Sequence, residues 1–363
     1  NMKLALEKTW AAVPSPKIVI AVGACAIAGG PFEGPREVVG ADARRLQPAA
    51  AARPRVFVLV VGETARAANF SLNGYPRITN PELARLDVVN FPDVTACGTR
   101  TEESIPCMFS PWGRADYDER RIRGSEGLLQ VLARAGYAVH WIENQSGCKG
   151  VCDGQGIVVR PLGEADGPAL CRDGECHDAV LLEALRQELA RPGGDRVVVL
   201  HMMGNHGPAY YARYPDEFRR FVPDCRSAEL RRCTREEIVN AYDNDILYTD
   251  HLLAETIRLL QSQASRLDAA LLYVSDHGES LGEGGLYLHG MPRAIAPSTQ
   301  TRVPMIYWNS TGFAAATGVD TACVRSRAAT PLSHDNLFHS VLGLLEVQTS
   351  VHRPERDLFA PCT

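Results

Sequence analysis

The sequence predicts an α/β fold in which a mostly parallel central sheet is sandwiched between helices. Three observations carry this. Five short runs are continuously apolar and rich in β-branched residues, the composition of strands buried on both faces. These runs alternate with helical patterns, and strand–helix alternation builds parallel sheets covered on both sides. A length of 363 residues at 45% hydrophobic content suits one large domain with a sizeable core better than two ordinary ones.

Taken in order, the chain opens with an apolar run at 18–28, too short for a bilayer span of about 20 residues. Any membrane anchor is therefore expected to lie outside this chain. Residues 34–55 are rich in Ala, Pro, Arg and Gly without an apolar period and read as a linker, leaving 1–33 as a separate segment and 56–363 as the catalytic domain. The expected strands are 56–61, 137–142, 197–201, 270–274 and 303–308. Helical patterns fill 127–135, closed by Gly136, then 178–190 and 238–260, and Ser333 caps a last helix running to 345. A net charge of −5 without Lys/Arg blocks excludes a nucleic-acid-binding role. A monomer is expected.

Of eleven cysteines, eight fall into close pairs: Cys97 with Cys107, Cys148 with Cys152, Cys171 with Cys176, and Cys225 with Cys233. Their unequal spacings and scatter along the chain favour disulfides formed in an oxidising compartment over a zinc cluster. Cys323 and Cys362 are candidates for a fifth bridge, which leaves Cys25 over.

In sheets of this class ligands bind beyond the carboxyl ends of the strands. Those ends carry Gly62-Glu63-Thr64, then Asn144 and Lys149, then Gly204-Asn205-His206-Gly207, and finally Ser275-Asp276-His277-Gly278-Glu279 with His289 nearby. Glu63, Asp276 and His277 make an O,O,N set for a divalent metal, and three protein ligands with one open position suit catalytic zinc; manganese or magnesium would also accept the two carboxylates. The nucleophile candidates lie within Cys97-Gly98-Thr99-Arg100-Thr101-Glu102-Glu103-Ser104. Thr99 and Glu102 have capping-box spacing, which puts Thr101 in the first turn of a short helix where an anion is favoured. Spacing alone does not separate Thr101 from Thr99 or Ser104.

The segments Gly62-Glu63-Thr64-Ala65-Arg66, Cys97-Gly98-Thr99-Arg100-Thr101, Ser146-Gly147-Cys148-Lys149-Gly150-Val151-Cys152, Gly204-Asn205-His206-Gly207-Pro208 and Ser275-Asp276-His277-Gly278-Glu279 run in this order, with Ser333-His334-Asp335-Asn336-Leu337-Phe338-His339 after them. Together they resemble the lipid A phosphoethanolamine transferases, the family of the mobile colistin-resistance enzymes. The resemblance implies an alkaline-phosphatase/sulfatase-like fold and a site at the periplasmic face of the bacterial inner membrane. It implies that Thr101 is the nucleophile and that Glu63, Thr101, Asp276 and His277 bind a catalytic zinc. Lys149, His206 and His289 would handle phosphate or a second zinc, and Asn144 the ethanolamine side. The donor would be phosphatidylethanolamine and the acceptor lipid A, with polymyxin resistance as the consequence.

Departures from the pattern are Ala68 in the first motif and Glu102-Glu103 after the nucleophile; the latter bears on acceptor preference, so another envelope glycan is an alternative acceptor. A sulfatase would need C/S-x-P-x-R, which is absent, and a phosphoglycerol transferase fits the cysteine-bearing motifs less well. A non-catalytic lipid-binding module would not be expected to keep all four metal ligands. The segment from Pro16 to Phe32 resembles the cluster-binding part of nickel–iron hydrogenase small subunits and the related subunit of NADH:quinone oxidoreductases. Such clusters need four thiolates. None is placed to complete one, so the segment reads as a fused or mis-joined piece.

Overall fold

The computed structural model describes residues 36–45, 53–172 and 174–363. The expectations for 1–33, including Cys25, and for 34–35 and 46–52 of the linker lie outside the described residues. The first strand, β1 (Arg55–Gly62), is buried along its whole length. It is followed by β2 (Val89–Thr95), α1 (Thr101–Met108), α2 (Leu128–Arg134), β3 (Ala138–Glu143), β4 (Ile157–Pro161), α3 (Ala179–Ala190), β5 (Arg196–His201), α4 (Arg235–Ser262), β6 (Asp268–Ser275), β7 (Arg302–Asn309), β8 (Leu332–Ser333) and α5 (Leu337–Leu344). These eight strands form one sheet in the order β8-β2-β7-β6-β1-β5-β3-β4.

Strand β7 alone among the eight runs against its neighbours, pairing antiparallel with both β6 and β2. The reason is local. A parallel strand needs a helical crossover to return the chain to the other edge of the sheet. The segment between β6 and β7 instead stays at the carboxyl edge and builds the site. Alternation along the strands sorts the core: Phe57, Leu59 and Val61 pack into one apolar layer with α1, α2 and α5, while Val56, Val58 and Val60 face the layer under α3 and α4.

Composition misread part of the linker. Glu37 bridges to Ser125, Arg44–Arg45 pairs antiparallel with Val347–Gln348, and Val39 and Ala43 are buried. Two apolar side chains in an otherwise patternless stretch suffice to dock it. Helix α4 starts three residues before its expected start because Thr234 and Glu237 form a reciprocal capping box. Strands β2, β4 and the two-residue β8 were not expected; Pro92 interrupts the apolar run of β2, and Arg160-Pro161 ends that of β4 after three residues.

All four expected disulfides form, and Cys323–Cys362 makes the fifth. With a separation of 39 residues, this last bridge constrains the unfolded chain most. Replacing both cysteines by alanine is expected to cost about 4 kcal/mol in the chain-entropy estimate, read as a lower midpoint in denaturant unfolding. An unchanged midpoint would show the bridge to be thermodynamically idle. No described helix is long and apolar enough to cross a membrane.

Candidate metal centre and nucleophile

Adjacent strands β1 and β6 run parallel, with Gly62 level with Ser275. The residues that follow, Glu63 and Asp276, therefore leave the sheet side by side, and His277 comes next. All three are fully buried. Gly62 allows this closeness, since a Cβ there would lie 2.7 Å from the Tyr273 hydroxyl of the neighbouring strand.

Thr101 arrives from the other direction as the first residue of α1. Its Oγ1 lies 3.0 and 3.2 Å from the two Glu63 carboxylate oxygens and 3.4 Å from His277 Nε2. His277 Nε2 lies 3.2 Å from Glu63 Oε1 and 3.5 Å from Asp276 Oδ2. Ligand atoms around a tetrahedral ion with bonds of about 2.0–2.1 Å stand ~3.3 Å apart, so the contacts of His277 with Glu63, Thr101 and Asp276 have the spacing expected within one coordination shell. Asp276 Oδ2 is buried without a hydrogen-bond partner. An orphaned carboxylate oxygen in such a shell fits a cation rather than a hydrogen bond.

The electrostatics agree. Burial, then the Glu63 charge, pushes Asp276 up to about 6. Burial opposes charge on His277, yet Asp276 and Glu63 together push it up to about 10. Burial would raise Glu63 too, but the hydrogen bond and charge of His277, with the Thr64 hydroxyl, hold it far below the carboxylate range. A proton on His277 thus supplies the positive charge that two desolvated carboxylates require. A divalent cation would supply it better.

The capping box expected at Thr99 is not formed. Thr99 Oγ1 donates to Met291 O, and Arg100 precedes the helix without a side-chain cap. Pro106, inside α1, cannot donate to Glu102 O; Arg123 Nη2 fills that acceptor at 2.6 Å. The Cys97–Cys107 bridge spans the same turn.

Of the other expected residues, His289 has its ring 4.4 Å from that of His277 and 6.0 Å from that of His206, so three imidazoles line one side of the centre. His289 Nδ1 meets the buried Glu279 carboxylate at 3.0 Å. Burial holds His206 below the ordinary histidine range. Lys149 places its ammonium 3.5 Å from Glu102, the residue after Thr101, and also donates to Ser146. Asn144 is not in the centre. Both its amide hydrogens go to Cys176 O and Asp178, tying down a neighbouring loop. Gln145 reaches the centre instead, donating to Glu63 Oε2 at 2.6 Å. Glu143 accepts from the Gln145 N–H and from Trp141, and orients that turn. A polar residue at a strand end gave the signal for Asn144 and Gln145 alike; only the turn decides which points inward.

Gly204 closes the floor. Its φ is +50°, and a Cβ would lie 2.7 Å from Glu63 O and 2.9 Å from Glu63 N. Gly204→Ala is expected to cost about 1–3 kcal/mol of stability and to weaken divalent-metal affinity by displacing Glu63. Thermal melts with and without metal would show both effects; unaltered metal-induced stabilisation would contradict the second.

A family model described as Sulfatase matches residues 55–347. The soluble domain of lipooligosaccharide phosphoethanolamine transferase A from Neisseria meningitidis superposes with a TM-score of 0.86 at 44% identity, covering 91% of this chain and 99% of that one. This chain belongs to the phosphoethanolamine transferase branch of the sulfatase family. Another member of the family, phosphoethanolamine transferase EptA of Salmonella typhimurium, is 47% identical over 311 residues, 85% of this chain and 56% of that protein. Phosphatidylethanolamine transferase Mcr-1 of Escherichia coli is 43% identical over 301 residues, 81% of this chain and 54% of that protein. The chain thus spans about half the length of the curated transferases it matches. Fold-level likeness extends to a protein of the alkaline phosphatase superfamily from Vibrio parahaemolyticus, TM-score 0.56 at 16% identity over 84% of this chain and 70% of that one. A second model, NADH ubiquinone oxidoreductase, 20 Kd subunit, matches residues 1–68, which contain the expected hydrogenase-like segment.

Proposed function

We propose that this domain transfers phosphoethanolamine from phosphatidylethanolamine to lipid A through a covalent intermediate on Thr101, with zinc held by Glu63, Thr101, Asp276 and His277. One observation carries the reading: a threonine hydroxyl at a helix start and the Glu63 and Asp276 carboxylates each stand 3.2–3.5 Å from His277 Nε2. A structural metal site has no use for a threonine ligand. A nucleophile does.

When bound, zinc supplies a Lewis acid that lowers the pKa of a ligated hydroxyl and offsets charge on phosphoryl oxygens. Thr101 Oγ1 attacks phosphorus, its proton passing to solvent, while Glu63, whose carboxylate lies 3.0 Å away, orients the hydroxyl without keeping the proton. The bond from phosphorus to Oγ1 forms while that to the diacylglycerol oxygen breaks, and His206 or His289 protonates the departing oxygen. Lys149 offsets charge on the phosphoryl group. A phosphate oxygen of lipid A then attacks the same phosphorus, its proton restores the histidine, and Thr101 leaves and regains a proton from solvent. A zwitterion on lipid A in place of an anion weakens the attraction of cationic peptides, hence polymyxin resistance.

The relative named for lipooligosaccharide supports this acceptor, and five disulfides support the periplasmic face of the inner membrane as the site of action. Incubation with phosphatidylethanolamine followed by peptide mass spectrometry tests the intermediate. A phosphoethanolamine adduct on Thr101 is expected; an adduct elsewhere, or none during turnover, overturns the proposal.

A further inference from the structure

The motif Ser333-His334-Asp335-Asn336-Leu337-Phe338-His339 supplies neither a metal ligand nor a proton donor in the mechanism above, yet it grips the nucleophile helix from both sides. His334 is fully buried and uses both ring nitrogens. Its Nδ1 accepts from the Cys97 N–H at 3.1 Å, ahead of the nucleophile turn. Its Nε2–H donates to Ser275 O at 3.0 Å, the carbonyl immediately before the ligand Asp276. These two partners, one a donor and one an acceptor, fix a single neutral tautomer. Ser104, on α1 itself, lies 3.3 Å from His334 Nδ1 and donates its hydroxyl proton to Asp276 O.

Beyond the helix, the Asp335 carboxylate accepts the N–H groups of Arg114 and Ala115, and His339 Nε2–H donates to Pro111 O at 3.1 Å. Together with Ser104, which bonds Asp276 O from α1 itself, His334 ties the nucleophile turn to the Asp276 strand end through a single side chain. Thr101 and Asp276 sit on elements far apart in sequence. Their relative placement is decided where those elements are tied.

We infer that His334, acting with Ser104, is the positioning residue that sets Thr101 against the metal ligands, a role that rests on the reading of Thr101 as nucleophile. It touches neither the reacting atoms nor the metal. Its removal is expected to slow formation of the Thr101 adduct without weakening donor or zinc binding, since a displacement of about 1 Å at a reacting group costs on the order of 100-fold.

The test uses the full chain loaded with zinc and phosphatidylethanolamine dispersed in detergent micelles. The rate of adduct formation on Thr101 is followed by mass spectrometry, zinc affinity by chelator competition, and folding by thermal melting. His334→Leu is expected to lower the rate at saturating donor by about 100-fold, with half-saturation and zinc affinity within about threefold of the parent chain. His334→Gln, which keeps a donor and an acceptor, is expected to recover about tenfold of that loss. Should His334→Leu fail to fold, Ser104→Ala decides the matter with an expected tenfold fall, about the loss of one positioning hydrogen bond. A rate unchanged in the folded variants, a loss confined to half-saturation or zinc affinity, or a Gln variant no better than Leu overturns the inference while leaving the nucleophile in place. No Thr101 adduct in the parent chain overturns both.

Discussion

Thr101→Ala is expected to abolish the covalent adduct and to lower transfer at least ~1000-fold, because the variant loses the only group that forms a bond to phosphorus. The fold should survive. Thr101 is at the first position of α1, where alanine is well tolerated, and its hydroxyl makes no bond to backbone. Metal affinity should fall far less than activity, since Glu63, Asp276 and His277 remain. Thr101→Ser should restore the adduct, at a lower rate because the missing methyl group frees the rotamer that points Oγ1 at Glu63. Intact-mass measurement with parallel zinc titration separates these outcomes. Hydrolysis of phosphatidylethanolamine at the parent rate by Thr101→Ala would mean that water is the nucleophile and Thr101 a bystander.

The second large effect concerns metal binding and pH. A histidine ligand binds through a neutral ring, yet its carboxylate neighbours push His277 up to about 10. Zinc must therefore displace a proton throughout the neutral range. Affinity should rise by about tenfold per pH unit between pH 6 and 8. Asp276, pushed up to about 6 by burial and by Glu63, adds a second released proton as pH falls below that value, so the dependence steepens on the acid side. The sign is fixed: both groups have raised values, both hold protons that the metal must expel, and acid weakens binding. Isothermal titration in buffers of different ionisation enthalpy counts the protons directly. Glu63→Gln should weaken zinc by about 100-fold or more, since it removes a charge from a fully desolvated shell. Affinity independent of pH from 6 to 8 would contradict this account of the centre.

How much of this was written in the chain varies residue by residue. The strands 56–61, 197–201 and 270–274 were legible because strands buried on both faces carry an unbroken apolar signal, and Glu63, His206, Asp276 and His277 follow their ends. Helix α4 was legible as a helix, but its start was not, because the Thr234–Glu237 box is a local signal outside the apolar period. Strands β2 and β4 escaped notice because proline and exposed positions break the apolar pattern, in β4 at the edge of the sheet and in β2 one strand in from the other edge. Four cysteine pairs were within reach of close spacing, whereas Cys323 and Cys362, 39 residues apart, were only candidates until the structure paired them.

Sequence by itself determined the layers, the four short-range disulfide pairs and the residue types gathered at one sheet edge, since periodicity, close spacing and strand ends are properties of local order along the chain. Tertiary structure decided which of those residues meet: that Gln145 rather than Asn144 turns inward, that Thr101 rather than Thr99 or Ser104 faces Glu63, and that His334 joins the nucleophile turn to Ser275. Such choices depend on distances of a few tenths of an ångström between residues 38 to 82 positions apart in the chain. Only close packing of the folded chain fixes them.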